Sequence, residues 1–431
     1  MSAGIIFLIF FLCLFIAIPV SSSLGIVSVL PGFVDPTFPA SATYVIRAML
    51  GGVDSFPLLA IPMFVLSGII MAKGGVSKKL FDVFSFFIGK LTAGMPSAVI
   101  VTCLFYGAIS GSAPATVAAV GSMTIPVLVN LGYDVKFSTA LVAVSGSLGV
   151  IIPPSIPFIL YGMASGVSVG DMFTAGIIPG FLIAGCLMAY AFFYCKKNGE
   201  DKAKINETVD ELRKKGIFKV FLDSFWALLT PVIILGSIYS GVASPTEAAV
   251  LSVFYSLIIS LFVYKTLKIK EIPDIFRESI KTFGPMLFIL AAASAFARVL
   301  ALMNVPQSVS AWITSTFTSK AVILVVINLF LLIVGMVMDG GPAILILTPI
   351  MVPIMNLIGV DLIHFGIFMV VNLAIGFVTP PIGINLFVAS SLTKIPVMDV
   401  AKNALPFILL FLIALTLIVV FPQISLVLLS K

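Results

Sequence analysis

The sequence predicts an all-α polytopic membrane protein built from inverted repeats, with two re-entrant helical hairpins and discontinuous helices. Three observations predict it. The 431 residues are 60% hydrophobic and only 10% charged, with a mean hydropathy of +1.24. Apolar runs of about 20 residues, long enough to cross a bilayer, recur from end to end. Several of those runs are broken by glycine, serine and proline, although an unpaired backbone amide in hydrocarbon costs several kcal/mol. The ten-residue alternation of a membrane β-barrel is absent.

The first run, "MSAGIIFLIFFLCLFIAIPVSSSLGIV", has no basic segment before it and is long, so it reads as a membrane helix near 4–30 rather than a cleaved signal peptide. Orientation follows from the basic loops. Residues 73–90, 196–219 and 265–281 hold 17 of the 24 lysines and arginines, which places these loops in the cytoplasm. The net charge of +6 is therefore a topology signal and gives no reason to expect nucleic acid. Cys13, Cys103, Cys186 and Cys195 have no motif spacing, so neither a disulfide nor a transition-metal site is expected.

Threading the spans through those loops fixes the hairpins. The span near 54–72 returns to the cytoplasm, and the next must leave it at about 136–165. Residues 94–130 must then begin and end inside, as a re-entrant hairpin with its tip at Ser110–Pro114. The helix 171–195 returns to the linker 196–219, whose mixed charge predicts a short surface helix and no site. In the second half, spans near 220–240, 245–264 and 283–303 lead to 320–358. That segment, broken at "MDGGP" (338–342), must enter and leave from outside; 362–393 and 404–428 follow. The chain thus divides into 1–195, the linker, and 220–431.

The halves match when shifted by 227. Pro126, Gly132, Asp134, Gly149, Pro153, Pro154 and Pro179 fall on Pro353, Gly359, Asp361, Gly376, Pro380, Pro381 and Pro406, and Pro114 and Pro342 match after a one-residue gap. Paired broken segments in two inverted halves point to a substrate site at the membrane midplane. Breaking a helix frees carbonyls for a cation and half-helix N-termini for an anion.

Two candidate cation sites follow. Ser110, Gly111, Ser112, Thr116, Gly149 and Val150 supply hydroxyl and carbonyl oxygens at the first tip and break. Asp339, Gly340, Gly341, Gly376, Thr379 and Pro380 do so at the second. Oxygen ligands on turns suit sodium, a hard cation, and an ionisable group such as Asp339 at membrane depth points to function. The same serines and glycines also suit plain helix capping and close packing. Substrate contacts are expected between the tips, from Ser110, Ser155, Asp339 and Asn385. Arg298, inside a span, fits snorkelling or a partner subunit better than substrate. Glu247 has capping-box spacing from Ser244. His364, the only histidine, is expected near the outer interface. With that histidine at a span end and no paired aspartates, an intramembrane enzyme is not expected. A passive scaffold would not need two buried polar breaks, and a channel would conduct without sodium coupling.

The stretches "SGSAPATVAAVGSMTIP", "GVIIPPSIP", "GVASPTEAA" and "GFVTPPIGIN" resemble the large membrane subunit of tripartite ATP-independent periplasmic (TRAP) transporters, over essentially the whole chain. The resemblance implies Na+-driven uptake of an organic acid such as sialic acid or a C4-dicarboxylate, and an elevator-type movement of a domain holding both hairpins. It implies a periplasmic substrate-binding protein and a small four-helix membrane subunit as partners, in the bilayer of the bacterial inner membrane. Ile69 stands where many members carry a polar residue. The alternative is a stand-alone sodium-coupled dicarboxylate or citrate carrier.

Overall fold

The computed structural model describes residues 3–317 and 319–429, and among these there are helices and no strands. Nine of the helices are long and apolar enough to span a membrane. Only helices or closed barrels satisfy every backbone group within hydrocarbon, so the chain is a multi-pass membrane protein.

The first run is not one helix. Ala3–Phe15 ends in a turn where Ala17 takes a positive φ of 63° and Pro19 follows, and a second helix, Val20–Val34, begins after it. A further helix, Ala42–Val53, packs on Ile272–Leu302. After Ala60–Lys73 comes the amphipathic Val76–Ile88. Then two helices, Gly94–Ser110 and Ala113–Asn130, form the first predicted hairpin. Its break is only two residues long, because Gly111 adopts the left-handed conformation (φ 60°) that ends one helix while Pro114 sits in the first turn of the next.

The predicted span 136–165 is discontinuous. Val135–Ser145 runs into a tight turn of helix, Gly146–Val150, then an extended stretch, then Ile156–Ser165. Val169–Asn198 leads into the linker, which holds the predicted surface helix, Lys202–Lys214. The second half follows the same order: Ile217–Tyr239, Pro245–Ile258, Ile272–Leu302, then Val305–Thr316, which the shift of 227 sets on Val76–Ile88, then the pair Lys320–Val337 and Gly340–Leu357. Leu362–Gly376 and Ile384–Thr393 flank the second break, and Val397–Val420 closes the bundle.

Matched positions take matching local roles. Gly132 and Gly359 both have positive φ. Asp134 and Asp361 both cap the following helix, accepting from Phe137 N–H and from Ile363 and His364 N–H. Both Pro-Pro bonds, 153–154 and 380–381, are cis. Pro126, Pro353, Pro179 and Pro406 all lie inside helices.

Beneath the first hairpin the linker is anchored rather than loose. The Glu200 carboxylate, only 2% exposed, accepts from Ala93 N–H at 3.1 Å and from the Tyr133 hydroxyl, and pairs with Lys202 at 2.8 Å. Ala93 and Tyr133 are the two feet of the hairpin. Burial pushes Glu200 toward the neutral form, but Lys202, Tyr133 and the Ala93 amide together outweigh it and hold the carboxyl below its ordinary range. Lys90 pairs with Asp210, and Arg213 donates to the Phe86 carbonyl, so the linker helix also grips Val76–Ile88.

Candidate functional site

The first tip gathers its predicted residues. The Ser110 hydroxyl lies 2.9 Å from Thr116 Oγ1, and Thr116 donates to the Ser112 carbonyl at 2.8 Å. Gly149 is pressed against this cluster: a Cβ on it would meet Thr116 Oγ1 and stand 2.8 Å from Ser112 O. The Val150 carbonyl accepts from the Ser155 hydroxyl, and the Gly111 carbonyl accepts from Ile156 N–H at 3.3 Å. The tip and the break thus bring hydroxyl and carbonyl oxygens close together, each joined to another protein group by the hydrogen bonds above.

The second tip is built differently. At the offset of the hairpin breaks, Met338 and Ile344 stand where the first tip has Ser110 and Thr116, so no hydroxyl pair recurs. Asp339 supplies the polarity instead. It is the N-cap residue of Gly340–Leu357, although its side chain makes no capping hydrogen bond to that helix. Gly340 faces the Phe377 ring, and Gly341 lies between Asp339 and Leu160. The break reaches this tip through Ile382 N–H, which donates to Met336 O at 3.3 Å. The Thr379 hydroxyl donates back to the Ile375 carbonyl at 2.8 Å, and Pro380 follows in the same segment.

Close backbone approach sets both breaks. A Cβ on Gly107 would stand 2.6 Å from Gly149 Cα, and one on Gly376 would stand 2.5 Å from Gly335 Cα. Gly107 and Gly335 were not singled out from the sequence, although they share the one-residue-shifted offset of Pro114 and Pro342. Between the two breaks, the Ser147 hydroxyl donates to the Ala374 carbonyl at 3.2 Å; these two residues are also 227 apart.

The four expected substrate contacts do not meet one another. Ser155 caps Ile156–Ser165 through Phe158 N–H and is fully buried. Asn385, also buried, gives its amide to the Ala143 carbonyl and Ser147 Oγ, each at 3.1 Å. Its Oδ1 is left without a protein partner. Ser110 belongs to the first tip and Asp339 to the second.

A cavity of about 520 Å³ opens beside the first tip. Tyr106, Ser110, Ser112 and Pro114 of the hairpin line it, as do Gly68 and Ile69 of Ala60–Lys73. Tyr106 donates to the Gly68 carbonyl at 3.1 Å, which seats the hairpin on Ala60–Lys73. Lys73 and Glu278, also in the lining, form an ion pair at 2.6 Å, with 39% and 51% of their side chains exposed. Sequence reading used Lys73 only as a loop charge and passed over Glu278.

The remaining residues take structural places. Glu247 and Ser244 form the expected capping box, with Ser244 N–H donating to Glu247 at 2.7 Å. His364 is buried against Ser425 and Phe368. Arg298 lies exposed beside Gly51. Among the described residues the four cysteines are free, and no cluster suited to a transition metal occurs.

The family described as "Tripartite ATP-independent periplasmic transporter, DctM component" matches residues 7–424. The isethionate TRAP transporter permease protein DctMQ of Oleidesulfovibrio alaskensis is 42% identical over 96% of this chain, which spans 64% of that longer protein. The C4-dicarboxylate large permease DctM of Pseudomonas aeruginosa is 40% identical, covering 87% of this chain and 86% of its own. The sialic acid large permease SiaM of Vibrio cholerae is 34% identical, covering 96% and 95%. Among solved structures, the YdaH transporter of Alcanivorax borkumensis superposes with a TM-score of 0.62 over 88% of both chains at 15% identity, a likeness of fold alone. The chain belongs to the DctM family, the large permease component of TRAP transporters.

Proposed function

We propose that this chain is the permease of a Na+-driven importer of an organic anion of the C4-dicarboxylate, sialic acid or isethionate class. A periplasmic binding protein delivers the anion and a small membrane subunit stands beside the permease. The observation that carries the reading is the pair of glycine contacts, Gly107 with Gly149 and Gly335 with Gly376, at equivalent breaks of the two halves. The Ser147–Ala374 hydrogen bond adds to it, because a residue touching its own repeat mate is what a local two-fold axis between inverted repeats requires.

On this reading the two hairpins are re-entrant from opposite faces. Sodium binds the hydroxyl and carbonyl cluster at the first tip, and a second ion binds near Asp339 and the break at Gly376–Pro380. The anion lies between the tips, where half-helix N-termini face it without a buried lysine. The hairpins and breaks move together across the membrane against the helices Ala60–Lys73 and Ile272–Leu302, as an elevator. The cavity beside Ser110 is then its cytoplasmic vestibule.

The test is uptake of radiolabelled succinate, isethionate and sialic acid into proteoliposomes holding the chain and its small subunit. Uptake that needs both an inward sodium gradient and the added binding protein supports the proposal. Uptake without the binding protein would make the chain a stand-alone carrier. Uptake unaffected by replacing sodium with potassium would sink the sodium coupling.

A further inference from the structure

We propose that Lys73 is a hand-off site for the transported anion on its cytoplasmic exit, and that Glu278 is the internal counter-ion the anion displaces. This rests on the cavity beside the first tip being the vestibule. Four observations carry it. Lys73 and Glu278 are the charged residues among those lining the cavity, and the hydroxyl-bearing tip lines the same space. They meet at 2.6 Å, yet both side chains keep substantial exposure, so either can turn to water when the pair opens. They come from different helices, Ala60–Lys73 and Ile272–Leu302, so neither is needed to hold a single turn together. Relatives carry dicarboxylates, sialic acid and isethionate, whose common feature is an anionic group that a primary ammonium can hold.

The physical argument concerns release. A pathway must bind well enough to admit its ligand and weakly enough to let it go. A lone lysine in a confined cavity would hold an anion too long, and an empty apolar wall would offer it nothing. A lysine already paired with a half-exposed glutamate exchanges one anion for another, and such pairs contribute little on their own. Entry of the ligand then costs little, and return of Glu278 expels it.

This predicts opposite effects from breaking the same ion pair on its two sides. The experiment measures the anion dependence of thermal unfolding for the purified full chain in saturating sodium. Succinate, isethionate and sialic acid are titrated separately against chloride at constant ionic strength. Glu278→Gln, which frees Lys73, is expected to bind at least one of the organic anions threefold or more tighter than wild type. Lys73→Met is expected to bind it threefold or more weaker. If both variants weaken binding alike, or lower only the baseline melting temperature, the pair is structural and the inference is overturned. The same holds if chloride reproduces the gain seen in Glu278→Gln. Should Lys73→Met fail to fold, the sign of the Glu278→Gln effect still decides. If no organic anion stabilises either wild type or Glu278→Gln, Lys73 holds no anion and the inference is overturned, while the uptake experiment above decides the permease reading separately.

Discussion

Gly376 rests on Gly335 so closely that a Cβ on Gly376 would lie 2.5 Å from Gly335 Cα, with the Gly335 carbonyl group nearer still. Backbone cannot retreat as a flexible side-chain end can. Gly376→Ala should therefore lower stability by about 1–3 kcal/mol, the usual cost of overpacking. Gly185→Ala is the control, since that helical glycine has nothing within 4 Å of its would-be Cβ. It should be neutral or slightly stabilising, because alanine is the better helix former. Thermal unfolding in detergent compares the two, and equal melting temperatures for both variants would refute the close-contact account.

Sodium should raise the melting temperature where potassium or choline at the same ionic strength does not. A ligand at about 100 times its dissociation constant stabilises by roughly 2.7 kcal/mol. Ser110→Ala removes an oxygen that lies 2.9 Å from Thr116 Oγ1 in the first cluster. It should raise the half-effective sodium concentration about tenfold, equivalent to about 1.4 kcal/mol. Asp339→Asn should also weaken the response. Met338→Ala, at the position matching Ser110 but offering no oxygen, should not.

Glu200 gives a pH dependence of known sign. Its carboxyl is held below the ordinary glutamate range in the folded protein, so the folded state favours the charged form. The stability this contributes is complete above the unfolded value of about 4.3 and is lost as pH falls through the lower folded value. Between pH 6 and pH 3.5, Glu200→Gln should lose less melting temperature than wild type, while starting lower at pH 6. A parallel pair of curves would show that the carboxylate contributes nothing through its charge.

Ser244→Ala should cost about 1 kcal/mol by removing the cap of Pro245–Ile258 and leaving Glu247 without its hydroxyl donor. Ser244→Gly should lose only a few tenths of that, and transport should survive both. Loss of transport at full stability would mean that Glu247 does more than cap.

Much of this architecture was legible because hydrocarbon punishes unpaired amides, which leaves breaks written in glycine, serine and proline. Ser110–Pro114, the Pro-Pro stretches and Asp134 with Asp361 all took local roles that their residue types dictate. Gly107 and Gly335 were harder to see, because a glycine inside an apolar run carries no sign of the neighbour it touches. The early helix break at Ala17 was hidden for a related reason: alanine seldom takes a positive φ, so nothing in its identity marks a turn. Lys73 with Glu278, and Glu200 with Tyr133, join residues far apart in the chain. No periodicity records such pairs, and only the three-dimensional packing brings them into view.

The Glu200 anchorage bears on how this permease can be handled at the bench. A fluorescent protein spliced in at Gly199 would pull the carboxylate away from both feet of the hairpin. At Gly216 the backbone already turns at a φ of 82° with open space around it, past the end of the gripping helix. An insertion there leaves Glu200, Asp210 and Arg213 in their places, which makes Gly216 the position from which to watch the permease by optical methods.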